Sequence, residues 1–131
     1  LYGSLFTEMS DVLDGRDAID VPTLAAMLKA AEGAIADLGD AKVGDKTLMD
    51  VLVPSREAAE KAASAGETLV AALAAVREAA ATGLESTRDL VAKRGRAARL
   101  GERSRGVLDA GAASCELILR TLANGLSERL S

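Results

Sequence analysis

Histidine and tryptophan are both absent from the 131 residues. The first absence removes the commonest general base and metal ligand near neutral pH. It also excludes a Ser-His-Asp arrangement. Aromatic residues are limited to Tyr2 and Phe6, too few for a sheet, which favours aromatic and β-branched side chains. The lone cysteine, Cys115, has no internal disulfide partner, which fits a reducing, cytoplasmic setting. Its apolar neighbours mark it as a packed thiol rather than a nucleophile. No stretch reaches the roughly 18 consecutive apolar residues of a membrane span. The longest alanine-rich segment, Leu69 to Ala81, is interrupted by Arg77 and Glu78. No signal-peptide pattern is visible. A formal net charge of −4 argues against a general nucleic-acid binder, which needs a basic surface.

The most abundant residue is alanine, at 27 positions, within an apolar fraction of 49%. Alanine is the best helix former, so an all-α fold is expected, as a single domain over residues 1–131. Leu1, Leu5, Met9, Val12 and Leu13 recur at helical spacing and predict a helix over about 1–13. Asp20 caps a second helix, with Pro22 in its first turn and an apolar stripe of Leu24, Met27, Leu28, Ala31 and Ile35. It should end near Leu38, with Gly39 at the C-cap. A third helix is predicted over about 46–65, kinked or split by Pro54, which lacks a donor and crowds the preceding turn. A fourth, about 67–93, contains Gly83, whose helix cost of roughly 1 kcal/mol marks close packing. A last helix spans about 110–130, with Asp109 as its N-cap.

Three segments carry candidate chemistry. Residues 39–46 form a polar loop leading into Thr47, Leu48, Met49 and Asp50. A glycine loop that opens a helix makes an anion site, because free N–H groups and the positive helix end point the same way. Lys46 and Thr47 would add donors. The spacing is not that of a Walker A loop, and from chemistry alone a plain capped turn with Asp45 as N-cap is the favoured reading of the segment. Residues 94–111 hold five arginines and four glycines. Arginine's planar fork matches phosphate oxygens, although a solvated loop paired with nearby carboxylates accounts for the same composition. Asp109-Ala110-Gly111 is either a simple cap or a cap with a ligand at the same helix end. Asp11, Asp14, Asp17 and Asp20, spaced by three, read as a solvated turn rather than a metal site.

Two stretches together carry a family resemblance. Gly44-Asp45-Lys46-Thr47-Leu48-Met49-Asp50, continuing to Pro54, resembles the G-D-K-T-x-x-D-x-x-x-P segment of dihydroxyacetone (glycerone) kinase L subunits. Gly95-Arg96-Ala97 through Leu100-Gly101-Glu102-Arg103-Ser104 to Gly106, with Asp109-Ala110-Gly111-Ala112 after it, resembles their G-R-A-x-x-L-G-E-R-S-x-G-x-x-D-P-G-A segment. The resemblance implies an eight-helix barrel, incomplete in this chain, with ADP or ATP held at one end by inter-helix loops. It implies phosphoryl transfer, with Mg2+, to dihydroxyacetone or a similar small ketose bound on a partner K subunit or domain. The phosphate donor is either ATP or a phosphotransferase-system M subunit. Carried over by position, the nucleotide-binding residues are Gly39, Thr47, Leu48, Arg96, Asp109, Ala110 and Gly111, with Gly39 and Leu48 on the adenine side. The family has proline where this chain has Ala110, and proline would preset the first helical turn.

The apolar opening, Leu1-Tyr2, reads as the interior of an element and resembles the segment just after the family's G-G-A-S-G loop. That loop and the aspartate-rich D-x-x-x-x-D-x-D magnesium loop are expected upstream of Leu1. No catalytic or metal residue is therefore assigned within residues 1–131, and this segment alone is expected to be inactive. An upstream segment or a second copy, as a homo-oligomer, would complete the barrel. The alternative is a non-catalytic helical module, regulatory or protein-binding, derived from the same family.

Overall fold

The computed structural model describes residues 3, 7–9, 20–38, 43–90, 101 and 105–130. Among these the regular elements are helical, as the composition requires. They are α1 (Val21–Leu38), α2 (Met49–Ser64), α3 (Leu69–Ser86), a 3-10 turn (Thr87–Asp89) and α4 (Ala110–Leu130). The helix expected over about 1–13 lies largely outside the described residues. Within it, Met9 is buried in the core, and Thr7 Oγ1 donates to the Gly3 carbonyl at 2.9 Å.

Helix α1 begins where its cap is. Asp20 Oδ1 accepts from the Thr23 amide at 2.8 Å, which satisfies one of the donors every helix start leaves over. Its predicted stripe, Leu24, Met27, Leu28, Ala31 and Ile35, is buried throughout. Helix α2 packs against α1 on one side and α3 on the other, and α3 packs against α4. The core is built from Leu24 and Leu28 of α1, Val51 and Leu52 of α2, Leu73 and Val76 of α3, and Cys115 and Leu119 of α4. Truncating a fully buried leucine such as Leu28 or Leu52 typically costs about 2–5 kcal/mol. Arg56 of α2 ties the outer face of this pair to α1. Its Nε and Nη2 donate to the two carboxylate oxygens of Glu32, at 2.6 and 3.3 Å, while Nη1 donates to Glu60 at 3.0 Å.

Helix α2 runs unbroken through Pro54, so the expected split does not occur. Proline removes the amide that would have bonded the Asp50 carbonyl. Gly83 of α3 packs against that carbonyl: a Cβ built there would lie 2.2 Å from the Asp50 oxygen and 3.1 Å from Val51 Cα. The close approach inferred for Gly83 is therefore a contact between helix backbones. Helix α2 ends in a Schellman turn. Gly66 adopts φ +69°, and the Glu67 amide reaches back to the Ala62 carbonyl at 3.1 Å, as the left-handed C-terminal motif requires.

Two expected boundaries are corrected. Helix α2 starts at Met49 rather than about 46, because Lys46 has φ 61° and a left-handed residue cannot continue an α-helix. Helix α3 begins at Leu69, where the Thr68 hydroxyl accepts from the Ala71 amide at 3.2 Å. It stops at Ser86 instead of near 93. The Thr87 carbonyl there accepts from the Leu90 amide at 3.2 Å and from the Lys46 ammonium at 2.7 Å, and Leu90 is extended.

Candidate functional site

Asp50, the second residue of α2, organises the loop that precedes it. Its Oδ1 accepts from the Gly44 amide at 2.6 Å and its Oδ2 from the Thr47 amide at 2.9 Å. Thr47 Oγ1 in turn accepts from the Met49 amide at 3.2 Å. Asp50 thus supplies one half of a capping-box pattern, its carboxylate satisfying the Thr47 amide, while the Thr47 hydroxyl serves Met49 rather than Asp50. Asp45 does not cap this helix, contrary to the plain-turn expectation, because the left-handed Lys46 separates it from the helix start. A carboxylate at a helix N-terminus also suits the helix dipole.

Lys46 departs from its expected role as well. Only 2% of it is exposed. Its ammonium donates to the Thr87 carbonyl at 2.7 Å and to the Val107 carbonyl, so it holds protein backbone rather than standing ready as a surface anion donor. A non-glycine residue in the left-handed region carries a penalty of roughly 1–2 kcal/mol, which the two carbonyl contacts offset. Thr87, fully buried, adds a second link: its hydroxyl donates to the Leu84 carbonyl at 2.7 Å and accepts from the Asp109 amide at 3.0 Å. Close by, the Gly106 amide donates to the Arg88 carbonyl at 2.6 Å.

The end of α3 is therefore a hub against which the 43–50 loop and the 105–109 segment are both fixed. The start of α4 comes directly after. Asp109 Oδ2 accepts from the Ala112 amide at 2.9 Å, the N-cap that the sequence called for. A Cβ on Gly111 would lie 3.2 Å from that same oxygen and 3.9 Å from the Leu48 amide nitrogen. Leu48 and Gly111 thus lie side by side, although they are about 60 residues apart in the chain. Gly39 and Arg96 lie outside the described residues. So do Asp11, Asp14 and Asp17, and most of the arginine-glycine segment.

Chemically, the arrangement offers two helix starts side by side, one glycine without a side chain between them, and an exposed Ala110 at the rim. Paired helix starts of this kind suit an anionic group approaching backbone N–H donors. Among the described residues no group of His, Cys, Asp or Glu is placed to hold a metal ion, and no helix is long and apolar enough to cross a membrane. Cys115 stands apart from the site in α4. Burial, with a smaller push from Glu116, raises its thiol to about 12, so it remains a protonated packing group. A separate cavity of about 590 Å³ runs along the α2–α3 seam past Asp50, Pro54, Ala58, Ala79 and Gly83. None of Thr47, Leu48, Asp109, Ala110 and Gly111 lines it.

Asp50 and Thr87 escaped the sequence reading as organising residues. The first had a visible signal, the Thr47-x-x-Asp50 spacing before an apolar run. The second had none, since Thr87 also fits the apolar stripe of its helix.

Comparison with known proteins adds the family. A sequence model described as the DAK2 domain matches residues 1–124. The chain belongs to the DAK2 domain family. This DAK2 domain is 38% identical over 129 residues to an L-erythrulose 1-kinase of Mycolicibacterium smegmatis, covering 97% of the chain and 22% of that kinase. It is 32% identical over 128 residues to the ADP-binding subunit DhaL of a PEP-dependent dihydroxyacetone kinase of Listeria innocua, covering 98% of the chain and 59% of the subunit. The corresponding DhaL subunit of Escherichia coli is 31% identical over 128 residues, covering 98% of the chain and 61% of the subunit. The chain therefore spans about three fifths of these DhaL subunits and about a fifth of the erythrulose kinase.

Proposed function

We propose that this DAK2 domain, residues 1–131 acting as one unit, is the nucleotide-binding part of a cytoplasmic kinase that phosphorylates dihydroxyacetone or a similar small ketose. Its ligand is ADP or ATP with Mg2+, and the sugar belongs to a partner K subunit or domain. The observation that supports this reading is the close approach of Leu48 and Gly111 at two adjacent helix starts; Thr47, Asp109 and Ala110 belong to the same two segments. Gly111 lets the start of α4 approach the Leu48 backbone closely, so the two helix N-termini lie side by side, and helix N-termini favour phosphate. Gly39 and Arg96 complete the set by their position in the family motifs. Arginine supplies a bidentate contact to phosphate oxygens. A bound magnesium ion supplies charge neutralisation on the phosphates. Relatives described as ADP-binding subunits agree with this ligand. The PEP-dependent relatives also favour a phosphotransferase-system M subunit as phosphate donor.

Isothermal titration of the full-length protein with ADP in the presence of Mg2+ tests the reading. Saturable binding is expected, weakened at least tenfold by Arg96→Ala. Absence of binding at millimolar ADP refutes it.

A further inference from the structure

We propose that Lys46 and Thr87 are positioning residues that hold the starts of α2 and α4 in register for the nucleotide, an inference that rests on the nucleotide-binding reading above. Neither residue belongs to the set carried over from the family motifs. Lys46 is buried, left-handed at φ 61°, and bonded to the carbonyls of both Thr87 and Val107. A left-handed lysine is an unusual choice, because glycine or asparagine adopts that conformation more readily. A strained residue of this kind persists where its surroundings hold it, and such residues gather at functional sites. Here the ammonium joins the loop that carries Thr47 and Leu48 to the segment that leads into Asp109.

Thr87 makes the matching joint from the other side, through its hydroxyl and the Asp109 amide at 3.0 Å. The two contacts share one residue at the α3 terminus, so both helix starts are referred to a single fixed point. Neither side chain needs to touch the ligand. Their effect is on the relative placement of the Leu48 and Gly111 helix starts, which the ligand would meet together.

The test is ADP titration of the full-length protein with Mg2+, for wild type and for Lys46→Met, Lys46→Gly, Thr87→Val and Thr87→Ser, with helix content followed by circular dichroism. Lys46→Gly accepts the left-handed backbone and removes only the clamp, so it folds even if Lys46→Met does not. The expected result is a loss of ADP affinity of at least tenfold in Lys46→Gly and Thr87→Val. Thr87→Ser keeps the hydroxyl and should restore affinity to within about threefold of wild type, a rescue that a packing role of the methyl group would not give. Folded Lys46→Gly and Thr87→Val that bind ADP as wild type does overturn the clamp and leave the nucleotide reading intact. Loss of helix content in both also overturns it, since the residues are then structural. A wild-type protein that does not bind ADP overturns both proposals.

Discussion

Replacing Gly83 with alanine tests the α2–α3 contact most sharply. The new Cβ would sit 2.2 Å from the Asp50 carbonyl oxygen, where carbon and oxygen ordinarily stay about 3.3 Å or more apart. The obstacle is backbone, so no rotamer change relieves it, and α2 and α3 must separate by about 1 Å. Overpacking of this kind costs about 1–3 kcal/mol, and a rigid partner places the value near 3. Alanine's better helix propensity returns about 1 kcal/mol. The net loss is then about 2 kcal/mol, a sizeable part of the 5–15 kcal/mol typical of a folded domain. For a chain of this size it lowers Tm by roughly 6–8 °C. Gly33→Ala is the internal control: Gly33 is also helical, and nothing among the described residues comes within 4 Å of its Cβ position. That variant should gain up to about 1 kcal/mol from propensity alone. Urea denaturation of both variants, read by circular dichroism, measures the difference. Gly83→Ala unfolding at or above the wild-type midpoint would refute the reasoning.

Other expectations rest on single contacts. Cys115 should make stability fall in alkali: its thiol ordinarily titrates at 9.0 and is raised to about 12 in the fold. Below pH 9.0 the contribution is complete, and between those values it is lost at about 1.4 kcal/mol per pH unit as the unfolded chain releases the proton. Cys115→Ala lacks that slope, and denaturation midpoints of the two proteins compared across the range measure it. Arg56→Met removes the fork that joins α2 to Glu32 of α1. The pair is partly exposed, so a loss of only about 1 kcal/mol in urea is expected, and it should shrink on adding the charge-neutralising partner change Glu32→Gln in a double-mutant cycle. Thr68→Ala deletes the hydroxyl that caps α3, and calorimetry should show about 1 kcal/mol of destabilisation.

Much of this fold could be read before the structure, because its signals are local. Helix α1 is bounded by Asp20 and carries an apolar stripe at helical spacing, and both features survive folding unchanged. The α4 boundary at Asp109 is legible for the same reason. The departures all come from contacts between distant segments. Pro54 looked like a kink or a break, yet the helix continues through it and the carbonyl it releases lies against Gly83 in another helix. Lys46 looked like a donor for a ligand, yet its ammonium is held by carbonyls from two other segments. Helix α3 ends early because Lys46 and Leu90 both occupy the Thr87 carbonyl. Spacing within one helix cannot reveal such partners. The candidate site was legible as two motifs, and its wiring through Thr87 was not.

That wiring also orders events in time. The contact between Lys46 and Val107 spans 61 residues, and a chain closing so long a loop loses more entropy than one forming a helix hairpin. Pairing of α1 with α2 and of α2 with α3 involves near neighbours and can come first. The junction at the α3 terminus waits until α4 emerges and docks. If the proposed nucleotide site is right, ADP affinity reports finished folding, because a nascent chain stalled before Asp109 lacks the start of α4.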